Sequence, residues 1–416
     1  MTKLISQEER INLSNKLYPL YDGLSKDLLF YIAIDTLFLT VAKGFTAVQI
    51  SLLGFVPTLV CVLLKPVLLK AVKKLGNVQS SRVGTFMLLS SAVLITLGTT
   101  FYTISIGRVI YESAFVLKSM ESITLKKNLE HQEKANQYMK IRGGSNTVYA
   151  TATFIIAIVA GPMFNVSPYL PMWLCILFCM ITFGLSFTFY EVKDKENNLE
   201  TKSKPQECKE KKGSKKNKLS KILLLALISN ALFINIVFVG QQDSKLFIQY
   251  QLTDWYGITT TATLLTLIVA SSRLSRIVLN MLFNRFYQRF SNQVPIVLSG
   301  MLVAGFLAII LGAVLPASNI IKVLLMTLGF DLIIPMRDTF IIYIEDVVLS
   351  NSKKEQQQEL FTNMEVAVKV GKVAMNLAIS LLLLKVDLYY VMWMFVLAGI
   401  AEVFLSRKIV KLTTKV

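Results

Sequence analysis

Twelve apolar stretches, each about as long as a lipid bilayer is thick, constrain this chain more than anything else in it. They fall at 24–41, 49–69, 82–100, 101–124, 144–163 and 169–190, then at 221–242, 258–283, 294–315, 319–348, 361–384 and 388–406. Most hold roughly 17 to 25 residues, the length a helix needs to cross hydrocarbon. A helix satisfies its own backbone polar groups there, whereas an open sheet edge cannot, so the pattern predicts an all-α membrane protein with twelve transmembrane helices. The composition fits: of 416 residues, 54% are hydrophobic and only 17% charged, too few charges to cover a soluble surface of that size.

Between the two sets of six lies 191–220, EVKDKENNLETKSKPQECKEKKGSKKNKLS, dense in Lys and almost without apolar side chains. Such a segment buries no core and reads as a flexible charged linker, too short for a compact signalling domain. The expected organisation is an amino-terminal six-helix bundle over 1–190, a cytoplasmic linker over 191–220 and a carboxyl-terminal six-helix bundle over 221–416.

The formal net charge is +18, and the basic residues recur in every second connection: Lys70, Lys73 and Lys74; Lys126, Lys127, Lys140 and Arg142; the linker; Arg285 and Arg289; Lys353 and Lys354; and Arg407, Lys408 and Lys411. Connections rich in Lys and Arg stay in the cytoplasm, which predicts a multi-pass protein of the cell membrane with both termini inside. The excess charge is therefore read as an orienting signal, and no nucleic-acid partner is expected. The first twenty or so residues are polar, and the first apolar run holds Asp35 and lacks a cleavage site, so no cleavable signal peptide is expected. Cys61, Cys175, Cys179 and Cys208 make no disulfide or metal pattern. With no phosphate-cradling loop and no nucleophile triad motif, neither an ATP-driven pump nor an enzyme is indicated, and no cofactor is expected.

The stretch 101–129 breaks the apolar pattern with Arg108, Glu112, Lys118 and Glu121. Each ionised group at bilayer depth costs at least ~2.5 kcal/mol, so these side chains must face a watered cavity or partners on other helices. The third, sixth, ninth and twelfth spans are nearly free of ionisable groups in their middles, whereas the first, fourth, eighth, tenth and eleventh carry them. This period of three implies a three-helix unit used four times, the nested repeat of one transporter class.

Over essentially its whole length the chain resembles the major facilitator superfamily. Leu69, Lys73-Lys74 and Gly76 occupy the loop where that family usually has Gly, Asp-Arg and Gly, and Asn280, Asn284-Arg285 and Tyr287 echo it in the second half. Arg108 resembles the membrane-buried arginine of proton-coupled members, drug exporters especially. Gly161-Pro162 resembles the end of the exporter motif on the fifth helix. The resemblance implies two pseudo-symmetric six-helix bundles that rock around a midplane cavity. It further implies proton-coupled export of an amphipathic or cationic small molecule, with protons, the lipid bilayer and that solute as partners of a monomer.

Counting ~1.5 Å per residue from the outer face places Asp35 on the first helix and Arg108 on the fourth at one depth, roughly 10 to 12 Å in. An arginine beside a buried carboxylate favours its ionised form, so withdrawing it lets the carboxylate take a proton. Asp35 and Arg108 are thus expected either as a coupling pair or as a static ion pair, with Glu112, one turn from Arg108, as a further partner. The only histidine, His131, falls in a predicted loop, so proton handling at depth rests with carboxylates. Lys118 and Glu121, nearer the cytoplasm, read as a gate or a structural pair.

In the second half, Asp331, Asp338 and Glu345 recur every seven residues near one helix face, with Pro335 placed to kink it and Arg337 alongside. Arg273, Arg276, Glu365, Lys369 and Lys372 fall in the inner half of the membrane, as pairs that re-form between states or as permanent ones. Asn235 and Gln241 either line the pathway or pack helices. Positive charge around Arg273, Arg276, Arg337 and Lys369 supports a second reading, proton-linked uptake of an anionic nutrient such as a sugar acid, peptide or nucleotide derivative. The departures at Leu69 and Lys73 keep open a third, a membrane sensor or binding subunit that no longer transports.

Overall fold

The computed structural model describes residues 7–134, 137–192, 221–290, 293–352 and 354–413, and all their regular structure is helical. The charged linker lies outside the described residues except for Glu191 and Val192, as do Cys208, Lys353 and the side chain of Arg285. Helices α1 (Gln7–Ser25) and α2 (Tyr31–Leu37), the latter running into a π-helical turn at Phe38–Ala42, together make the first crossing. The interruption at 26–30 has a local cause: the Asp27 carboxylate accepts the Leu28 amide at 2.8 Å, offering the backbone an alternative to the helical ladder. At the far end of this crossing the Lys43 ammonium donates to the Thr96 and Gly98 carbonyls, both at 2.7 Å.

Helices α3 (Ala47–Leu75), α4 (Asn77–Leu97), α5 (Phe101–Lys118), α6 (Met120–His131), α7 (Tyr138–Val166) and α8 (Leu170–Ser186) complete the first bundle. Reciprocal capping boxes, Thr46 with Gln49 and Thr100 with Thr103, start α3 and α5. In the second bundle, α9 (Lys221–Phe290) holds two crossings, divided at Gly257, whose φ of 75° is open to glycine and strained for other residues. Then follow α10 (Val294–Val314), α11 (Asn319–Ile333), α12 (Met336–Asn351), α13 (Lys354–Leu382) and α14 (Leu388–Thr413). Pro335 does more than kink the tenth crossing: α11 ends and α12 begins around it. The seventh crossing is longer than the apolar stretch 221–242 suggests, because helix continues through Gln241, Gln242, Asp243 and Lys245 to the Gly257 break.

Within the first bundle α4 packs on α5 and α8, α3 on α5, and α1 on α7; within the second, α10 packs on α11 and α14, and α9 on α13 and α14. The bundles meet where α7 and α2 lie on α9 and where α3 lies on α13. Those contacts concentrate toward the face opposite the termini. There Asn165 donates to the Thr259 carbonyl at 2.9 Å, Gln249 to Thr40 Oγ1 at 2.6 Å, and Ser380 to Ser51 Oγ at 2.9 Å. Nearer the terminal face, contact between the bundles among the described residues thins to a loose pair, Lys65 to Glu365 at 3.9 Å, with the Glu365 side chain 72% exposed. The described contacts between the bundles are therefore denser toward the far face than toward the terminal face.

Gly161 makes the far closure possible, since a Cβ there would collide with Thr266 Oγ1 and lie 2.6 Å from the Ala262 carbonyl oxygen. Gly161→Val should hold the bundles apart at the far end. A cysteine placed at Thr40 should then react faster with an impermeant maleimide from that side, and an unchanged rate would mean that the contact does not govern closure.

Candidate functional site

Between the bundles lies a cavity of about 200 Å³. The first bundle lines it with Asp27 from the break before α2, Tyr31 and Asp35 from α2, and Arg108, Tyr111 and Glu112 from α5. The second contributes Gln241, Gln242, Lys245, Arg273 and Arg276 from α9, Arg337 from α12 and Lys372 from α13. A second cavity of about 270 Å³ shares Tyr149, Arg273 and Arg276 with the first and adds Asn146, Thr153 and Asp338.

Asp35 and Arg108 do share this cavity, yet they are not each other's partners. The Asp35 carboxylate pairs with the Lys245 ammonium of the opposite bundle, and Lys245, 3% exposed, also donates to the Ile32 carbonyl at 2.9 Å. Arg108 instead lies over two rings, its Cζ 4.7 Å from the Tyr111 centroid and 5.7 Å from that of Tyr31, positions that attract a cation to the π face. Nor is Glu112 bound to Arg108, because it accepts from Lys372 Nζ at 3.1 Å, again across the bundles. Both carboxylates expected to serve Arg108 thus reach lysines of the other half.

Asp27, which the sequence reading passed over, accepts from the Tyr111 hydroxyl and the Leu28 amide. Its place as an ionisable group inside the first apolar stretch, 24–41, was the available signal.

In the second bundle Asp338 is shared by two guanidinium groups. Arg276 reaches its Oδ2 through Nη2 at 2.7 Å and Nε at 2.8 Å, and Arg337 reaches Oδ1 through Nε at 3.1 Å. Arg337 also lies 4.8 Å from the Phe238 ring centroid. Arg273, 9% exposed, lines both cavities and forms no ion pair among the described residues. Asp331 accepts from Ser271 Oγ at 2.5 Å and, like Glu365, Lys369 and Asn235, is not among the lining residues of either cavity.

These four expected site residues therefore stand apart from the cavity lining. Asn235 donates to the Ala231 and Val368 carbonyls at 2.7 and 2.9 Å, which makes it a packing amide between α9 and α13. Glu365 points out to the loose contact with Lys65, and Lys369 lies half-buried beside it on α13, outside both cavities. Lys118 and Glu121 turn out to belong to a buried cluster inside the first bundle. Lys118 Nζ lies 2.7 Å from Glu121 Oε1 and 3.5 Å from Asp22 Oδ1, and Arg142 Nη1 lies 3.3 Å from Asp22 Oδ2.

Across the two central cavities, Arg108, Lys245, Arg273, Arg276, Arg337 and Lys372 face Asp27, Asp35, Glu112 and Asp338, six cations against four carboxylates. A formal surplus of two positive charges is left in a partly buried space, where attraction for a counter-charge is stronger than in water.

The sequence profile of the Major Facilitator Superfamily matches residues 27–358. The nucleoside transporter NupG superposes with a TM-score of 0.66 at 13% identity, over 96% of this chain and 98% of that one. A bacterial homologue of the iron transporter ferroportin, solved in an inward-facing state, gives 0.67 at 12% identity, over 95% and 98%. A bacterial metal transporter gives 0.61 at 12% identity, over 98% and 99%. No curated protein matches the chain in sequence. Two six-helix bundles around a charged central cavity, matched by the family profile over most of its length, place this chain in the major facilitator superfamily, as a multi-pass membrane transporter of a small molecule and not an enzyme.

Proposed function

We propose that the chain carries a small organic anion across the cell membrane by alternating access, with proton movement driving uptake. One observation carries this reading: the two central cavities together hold six cationic side chains against four carboxylates, and Arg108 and Arg273 form no ion pair with a carboxylate among the described residues. A cationic cargo would meet repulsion there, which sets a cationic cargo below an anionic one. The metal cargoes of two structural neighbours fit this lining poorly for the same reason. A nucleoside bearing an acidic group would suit it better than the neutral nucleosides suggested by NupG's name.

In this proposal 1–190 and 221–416 rock as two bodies joined by 191–220, with both termini and the linker in the cytoplasm, so the face with the sparser contacts is the inner one. Asp35 is the proton acceptor: once protonated it loosens the tie to Lys245 between α2 and α9, while the incoming anion is met by Arg108 and Arg273. Asp35 and Lys245 sit in the far half of their helices, so opening toward the outside separates them, and a proton or a substrate anion can compensate whichever partner is left.

Proteoliposomes with an imposed pH gradient test this. Labelled anions should accumulate on the alkaline side, and Arg273→Gln should cut uptake about tenfold or more, equivalent to losing one charge-assisted contact of ~1.4 kcal/mol. Accumulation of cationic amphiphiles in place of anions would reverse the assignment.

A further inference from the structure

We infer that the cargo is a dianion, with one acidic group held by Arg108 of the first bundle and the other by Arg273 of the second. This inference rests on the anion reading above and goes beyond it in naming charge and geometry. Every other cation of the lining already has a carboxylate: Lys245 has Asp35, Lys372 has Glu112, and Arg276 and Arg337 share Asp338. Asp27, the remaining carboxylate, is occupied by the Tyr111 hydroxyl and the Leu28 amide and pairs with neither free guanidinium. The surplus of two positive charges is thus matched by a solute of charge minus two.

The two free arginines are placed for two-ended recognition. Arg108 rests on the rings of Tyr31 and Tyr111, which restrict its guanidinium without using up its hydrogen-bond donors. Arg273 stands where the two cavities join, beside Tyr149. Each planar fork matches a carboxylate or a phosphate through paired N–H donors. Cavities of about 200 and 270 Å³ suit a short solute. A short dicarboxylate supplies the two acidic ends, whereas a phosphate monoester carries both of its charges on one group.

Because one arginine belongs to each bundle, a dianion ties the bundles together across the cavity. A monoanion engages one arginine and leaves the other unpaired, so it binds without the second contact. Selectivity for charge and the drive toward the occluded state then come from the same pair of residues.

The test uses the detergent-purified full chain and its intrinsic fluorescence, titrated with butyrate, succinate and glycerol phosphate at constant ionic strength. Succinate should bind about tenfold or more tighter than butyrate, and tighter than glycerol phosphate, whose two charges sit on one acidic group. In Arg108→Gln and in Arg273→Gln the dianion should fall to the level of butyrate, while butyrate binding survives in at least one of them. Where a Gln variant does not fold, Arg108→Lys and Arg273→Lys keep the charge, lose the fork, and should narrow the preference. Equal affinity for butyrate and succinate, or a preference confined to glycerol phosphate, would overturn the two-ended site and leave the anion reading standing. Binding of none of the three, together with binding of a cationic amphiphile, would overturn both.

Discussion

Lys245→Ala should abolish transport, with a loss of about a hundredfold or more in uptake rate, the scale of ~2.7 kcal/mol. The ammonium is 3% exposed, bridges to Asp35 and caps the Ile32 carbonyl, so one side chain ties α2 to α9 in the half of the membrane where contacts between the bundles are denser. Removing one partner of a buried pair leaves the other charge without compensation, at a cost of ~3–5 kcal/mol. The two single variants should differ in stability. Asp35→Asn strands the more deeply buried Lys245 and should lower the apparent unfolding temperature more than Lys245→Ala, which strands an Asp35 that is 24% exposed. Asp35→Asn combined with Lys245→Gln removes both charges, and should recover stability without recovering proton-driven accumulation. Counterflow and gradient-driven uptake in proteoliposomes separate these outcomes. Wild-type accumulation in the double variant would show that the pair is only a fastener.

Glu112 and Lys372 form the second tie, at 3.1 Å, and both are about a quarter exposed. Glu112→Gln should therefore act more mildly than Asp35→Asn, slowing gradient-driven uptake while leaving the apparent unfolding temperature close to wild type. A stability loss as large as that of Asp35→Asn would show that the second tie is as deeply committed as the first.

The twelve crossings were legible because the length of an apolar run is set by bilayer thickness, and length survives irregular sequence. Partners were less legible. Matching Asp35 to Arg108 used depth alone, and depth says nothing about which way a side chain points around its helix. Asp35 faces α9 of the opposite bundle, and Arg108 finds its neighbours in two tyrosines of its own bundle. Lys245 escaped notice because Gln241, Gln242 and Asp243 look like the end of a span, although the helix runs on to Gly257. Azimuth likewise keeps Glu365 and Lys369 out of the cavity lining and leaves Glu365 within reach of Lys65 of the other bundle, a place compatible with the gating expected of it, whereas the seven-residue spacing of Asp331 and Asp338 does bring both against α9, one at Ser271 and one at Arg276. Surplus charge needs no azimuth to be counted, and for that reason the anionic alternative, visible as a cluster of basic residues, fits the assembled cavity better than the cationic one.

The cluster around Lys118 should matter most for stability. Lys118 and Asp22 are 4% and 2% exposed, and the ammonium lies between two carboxylates, Glu121 Oε1 at 2.7 Å and Asp22 Oδ1 at 3.5 Å. Lys118→Met keeps the length and apolar stem of the side chain while leaving Glu121 buried without its cation beside Asp22, which keeps Lys26 and Arg142, and should destabilise the chain by ~3–5 kcal/mol. Space offers no relief, because α4 packs so closely that a Cβ on Gly84 would lie 2.8 Å from the Ala114 oxygen and the Lys118 amide nitrogen. Adding Glu121→Gln to Lys118→Met removes the stranded charge and should restore part of the loss, whereas Arg142→Met, at a side chain 37% exposed, should do less harm than Lys118→Met. Apparent unfolding temperatures in one detergent rank the four proteins, and an unperturbed Lys118→Met would show that the cluster is solvated and dispensable. None of these residues lines the central cavity, so anion affinity measured below the unfolding transition should stay at the wild-type value. A cluster that joins α1, α5, α6 and α7 in this way holds one half rigid, and alternating access requires that rigidity, since the cross-bundle pairs can break and re-form cleanly only if each bundle moves as a single body.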